Sequence, residues 1–138
     1  MSTPPTLGDF TGAWQLSRTI TDDHAGSTGR FDGTALFEPD ASGLRYFESG
    51  TLCLAGQMPL HAERRYHWAD DGASIAVSFA DGTFFHRFTT SAPEATHWCD
   101  PDTYAVSYDF TDWPRWRSTW SVSGPRKSYR MITFFTRA

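Results

Sequence analysis

The chain has 138 residues, 39% of them hydrophobic, and carries a formal net charge of −4. That length suits one domain with a substantial core, and the 16% aromatic content fits half-buried pleated surface better than helix. The acidic balance and scattered basic residues, with Lys127 the only lysine, argue against nucleic-acid or anionic-membrane partners.

The first residues, MSTPPTLGDF, have neither the basic nor the apolar stretch of a secretion signal. No later run reaches membrane-spanning length, so a cytoplasmic location without membrane insertion is expected. Cys53 and Cys99 alone do not call for a disulfide framework.

No segment sustains a helical apolar period, whereas alternation of period two recurs along the whole chain. It predicts strands at 12–20, 29–38, 44–54, 58–69, 74–80, 83–89, 94–99, 103–110, 115–123 and 127–137. Turn chemistry separates them, most clearly at Asp81-Gly82, a strong hairpin signal between two alternating runs. Thr21 to Thr28 is the least patterned stretch and is expected to hold a short helix or a lid. Short links between so many strands favour an antiparallel meander. Closing that meander removes both exposed edges. The expectation is an all-β chain, residues 1–138 forming one antiparallel up-and-down β-barrel of eight to ten strands with at most one short helix.

The more apolar parity of each strand gives an inner face. It places Trp14, Leu16, Arg18 and Ile20 inward on the first strand, and Phe84, His86 and Phe88 inward on the sixth. Arg18, Glu48, Arg64 and His86 are the polar members of this row, together with several tyrosines. A buried charge is costly unless paired. These groups therefore either form an internal ion pair, Arg18–Glu48 or Arg64–Glu48, or face a ligand-holding cavity. For the second case the expected ligand is small and amphipathic, with an anionic head. Its pocket would be lined by Arg18, Arg64, His86, Tyr104, Tyr108 and Trp120, because the planar fork of arginine suits a carboxylate.

Other chemistries have weaker signals. Glu48 and His86 could serve as acid and base in an isomerase or lyase if desolvation raised the pKa of Glu48. A haem barrel would need one axial histidine from His86, His97 or His67. His97-x-Cys99-Asp100-x-Asp102 matches no standard zinc spacing, so no metal and no cofactor are expected. Nucleophile-elbow and phosphate-loop motifs are absent from the sequence. A non-catalytic binder is the leading reading, as a monomer or homodimer.

Gly12-x-Trp14 at the head of the first strand, followed by a meander and Arg137 on the last, resembles the calycin superfamily of lipocalins, fatty-acid-binding proteins and nitrobindin-like barrels. The stretches RYHW, FHRF, HWCDPDTYAVSYDF and GPRKSYR are also similar to an uncharacterised family of small bacterial lipocalin-like domains. The resemblance implies that Trp14 closes the barrel floor with a late arginine, here Arg137, packed across it. Antiparallel pairing of the first and last strands would bring those two together, and an arginine over an indole is a favourable cation–π arrangement.

Overall fold

The computed structural model describes residues 3–138. Ten strands follow one short 3₁₀ helix, Leu7–Phe10. They are β1 (Gly12–Asp22), β2 (Ser27–Asp40), β3 (Gly43–Leu54), β4 (Leu60–Asp70), β5 (Ile75–Phe79), β6 (Phe84–Phe88), β7 (Glu94–Cys99), β8 (Asp102–Asp109), β9 (Trp116–Ser123) and β10 (Ser128–Arg137). All lie in one antiparallel sheet of order β6-β5-β4-β3-β2-β1-β10-β9-β8-β7. β6 and β7, the two ends of that order, come together without a backbone ladder, so the barrel is nearly closed along one seam.

Every expected strand is present. The expected helix is not where the sequence suggested: Thr21 pairs with Thr28 and Asp22 with Ser27 as the last two rungs of the β1–β2 hairpin, and only a tight turn lies between. Asp22 caps that turn by accepting a hydrogen bond from the Ala25 amide at 2.9 Å, so a local polar cluster makes a turn and not a lid.

Alternation sets which side chains point inward. The Phe84 register is a correction. Val77 pairs with His86 but Ser78 pairs with Phe84, which leaves Phe85 as the extra residue of a β-bulge. The bulge flips the local parity. Phe84 turns outward and is 49% exposed, while Phe85 joins His86 inside, each almost fully buried. Met58 also lies outside the strands and outside the core, 83% exposed.

Beneath β1 the 3₁₀ helix carries Phe10 into the floor of the barrel. Its ring lies 5.0–5.7 Å from those of Phe37, Trp68, Phe110, Trp113 and Trp116. Trp14 donates its indole N–H to the Phe10 carbonyl at 2.8 Å. Arg137 pairs with Trp14 in the β1–β10 ladder, and its guanidinium sits 3.8 Å above the indole ring. It also donates to the Asp9 and Thr11 carbonyls at 2.6 and 2.9 Å, tying the helix to the last strand.

Between β2 and β3 the backbones approach closely where Gly33 faces Gly50. A Cβ added to either would come within 2.7 Å of the other's Cα. Glycine is required by that approach on the inner face.

Candidate functional site

Above the aromatic floor, the inner face turns polar. Arg18 on β1 and Glu48 on β3 reach toward each other over the intervening β2. The guanidinium donates two parallel hydrogen bonds to the carboxylate, at 2.7 and 2.9 Å, and a third from Nε to Thr133 at 2.7 Å. Tyr46, two residues below Glu48 on the same face, adds a 2.6 Å hydroxyl bond to the carboxylate. Both charges are almost fully buried. A paired fork of this kind is among the strongest geometries for a desolvated ion pair.

The pair is ionised. Burial works against each charge, but the hydrogen bonds and mutual attraction outweigh it, raising the Arg18 pKa and lowering that of Glu48. This corrects the expectation that desolvation would raise Glu48. Its oxygens already accept three hydrogen bonds, so the carboxylate is held as an anion and is not poised to exchange a proton with His86.

A cavity of about 30 Å³ adjoins this pair. It is lined by Arg18, Glu48, Arg64, His86, Tyr108 and Trp120, among others. Five of the six expected ligand contacts therefore meet at one place. Tyr104 stays apart, half-buried nearer the mouth, with its ring 5.8 Å from that of Phe85. The interior is otherwise filled, since about 30 Å³ holds a water molecule and little more.

Arg64 differs from Arg18. It is Glu48's cross-strand neighbour on β4, yet it forms no ion pair among the described residues; its guanidinium lies 5.7 Å from the centre of the Trp120 ring. Arg18 and Glu48 cancel, so the interior keeps one uncompensated positive charge, and it belongs to Arg64.

His86 is held through Nε2, 2.8 Å from the Tyr108 hydroxyl. Its Nδ1 is buried and has no hydrogen-bond partner. Burial, with a smaller contribution from His97, lowers its pKa to about 4, so it is neutral at ordinary pH. Burial likewise raises the Tyr108 hydroxyl. Of the other histidines weighed for haem, His97 packs edge-on against Phe85 at 5.3 Å. His67 lies on the outer face, where its Nε2 is 3.1 Å from Asp40 and 3.2 Å from Ser42. Both contacts of the imidazole in this Ser-His-Asp group pass through that one ring nitrogen, and Ser42 also donates directly to Asp40 from its amide at 2.9 Å. A nucleophilic relay needs the two nitrogens to face different partners, so the group is a turn clasp. Among the described residues no three His, Cys, Asp or Glu side chains come together as a metal site, and no helix is long and apolar enough to cross a membrane.

The signals missed by sequence reasoning were Phe85, hidden by the bulge, and Tyr66, whose ring lies 6.2 Å from both Phe85 and Trp120. Tyr66 was legible as an inward residue of β4, but its place beside Trp120 of β9 depends on the closure of the barrel.

The comparisons with known proteins agree with this architecture. No curated protein matches the chain. Among solved structures, the S-type phycobiliprotein lyase CPES from Guillardia theta is similar, with a TM-score of 0.65 and 8% sequence identity. The match covers 96% of this chain and 90% of that one, and at such identity the likeness is one of fold. A family model described as a family of unknown function (DUF6314) matches residues 10–137. This chain belongs to that family.

Proposed function

We propose that the protein is a calycin-like barrel that binds a small amphipathic anion, and that Arg64 receives the anionic head. The observation that carries this reading is charge balance inside the barrel. Arg18 spends its fork on Glu48, whereas Arg64 is half-buried among Tyr66 and Trp120 without a counter-ion. A cation in such surroundings gains more from an incoming carboxylate or sulfonate than a surface arginine does, because less water screens the attraction. Of the two arginines expected to line the pocket, this reading gives the anion to Arg64. The similar fold of a phycobiliprotein lyase supports a small-molecule ligand and makes a bilin a suitable second probe.

The test is titration of anilinonaphthalene sulfonate into the folded wild type and Arg64→Met. Methionine keeps an apolar stem and removes the charge. Loss of one charge-assisted hydrogen bond should raise the Kd about tenfold. An unchanged Kd in a variant with wild-type circular dichroism would remove Arg64 from the site.

A further inference from the structure

The interior space of about 30 Å³ is too small for the body of any such ligand, so the body must lie elsewhere. Strand lengths point to the place. β4 has eleven residues and its neighbour β5 has five. β5 pairs only with Tyr66–Asp70, which leaves Leu60–Arg65 with ladder partners on β3 alone. The β5–β6 turn stops at the level of Tyr66, opposite Phe79. The barrel wall therefore has a notch directly beside Arg64.

A groove of about 700 Å³ runs over the outer face of β3 and β4 up to that notch, reaching Phe79, Ala80 and Gly82. This is within the range of small-molecule sites. Its floor is the cross-strand pair Phe47 and Arg65, with the guanidinium 4.4 Å over the phenyl ring. Arg45 lies in the same groove, held loosely by Glu38 at 3.8 Å. Exposed pairs of this kind are weak and exchange readily for another anion. Tyr46 and Tyr66 line both this outer groove and the inner cavity. The groove and the ion pair thus lie on opposite faces of the same Tyr46–Tyr66 rung of the β3–β4 ladder, and the way from one to the other is around the free edge of β4 at the notch.

We propose that the side groove seats the body of a flat, conjugated anion, which lies against Phe47 and Arg65 and passes its acid group by Tyr66 through the notch to Arg64. This rests on the reading of Arg64 given above and adds the chemical class and the route. A flat conjugated body is favoured over an aliphatic chain because the floor is a ring backed by a planar cation, a surface that stacks. Entry through the side also explains how a filled barrel takes a ligand without opening its aromatic floor.

The experiment compares anilinonaphthalene sulfonate binding by wild type, Arg64→Met, Arg65→Gln, Phe47→Ala and Met58→Ser, with biliverdin and laurate as displacing competitors. Arg65 is exposed, so Arg65→Gln keeps the fold and carries the test if Phe47→Ala fails to fold. Weakening of about tenfold in Arg64→Met, and of threefold or more in the two groove variants, is expected. Met58→Ser at the mouth should bind as wild type, and biliverdin should displace the probe better than laurate. If Arg64→Met weakens binding while Arg65→Gln and Phe47→Ala do not, the side seat is overturned and the Arg64 reading stands. If the groove variants weaken binding and Arg64→Met does not, the passage to Arg64 is overturned together with that reading. Displacement by laurate but not biliverdin would overturn the flat-ligand class.

Discussion

Trp14 in the floor of this barrel and the Arg18–Glu48 pair in its upper half are all buried, but different physics holds the two regions together. At the floor, Phe10, Trp14, Trp68 and Trp116 share contacts among many rings, and Trp116 stacks on Phe135 at 3.8 Å. Apart from the hydrogen bond of the Trp14 indole to the Phe10 carbonyl, those contacts are apolar ring packing. In the upper half, Arg18, Glu48, Tyr46 and Thr133 form one hydrogen-bonded unit in which each member satisfies another. An apolar floor loses stability in proportion to what is removed. A buried polar unit fails as a whole, because removing one partner strands the next.

The largest effect should come from the floor. Trp14→Ala removes a fully buried indole and should cost about 3–5 kcal/mol in urea unfolding. It should act additively with changes in the upper half, since distant sites do not couple. A cost below about 1 kcal/mol would mean the rings collapse to fill the gap, and the contrast between the halves would weaken.

Arg18→Met should cost about 3 kcal/mol, because Glu48 is left buried with Tyr46 and a more distant Arg64. The double variant Arg18→Met with Glu48→Met should recover most of that loss, as apolar replacement of a whole buried pair often does. Two single costs that simply add would show that the pair is not a unit.

Acid should separate the halves next. His86 has a folded pKa of about 4, against about 6.5 for the unfolded chain. The unfolded state therefore binds more protons between those values, and stability is present above pH 6.5 and lost as pH falls toward 4. The loss should reach about 3 kcal/mol. His86→Gln should flatten unfolding curves across that window. The Glu48 carboxyl is held below its ordinary value, so its own contribution is lost only at lower pH as it protonates. A slope that survives His86→Gln between pH 6 and 5 would assign the titration elsewhere.

The smallest effect should be at the rim of the floor. Arg137→Ala removes the cation over Trp14 and two carbonyl contacts, and should lower stability by about 1–2 kcal/mol. Arg137→Lys should restore only part of it, because an ammonium keeps the charge but not the planar fork. Full restoration by lysine would reduce the role to charge alone.

Much of this molecule was legible in the sequence. Period-two alternation with short turns fixes ten neighbouring strands and, except at the β6 bulge, which residues near the site face inward, since each side chain's face follows from local backbone geometry. The meeting of Trp14 with Arg137 also followed, because antiparallel closure brings the start of the first strand beside the end of the last. Glu48 was named as a competitor for Arg18, but alternation could not choose between Arg18 and Arg64 as its partner. Tertiary structure made that choice: the two reaching side chains meet over β2, and the remaining arginine is left beside Trp120. The same holds for Phe85 and for the notch at Tyr66. One inserted residue reverses a strand's faces, and the level at which a short strand stops depends on the register of its ladder with β4. Local periodicity determines which way a side chain points; only closure of the sheet determines what it meets.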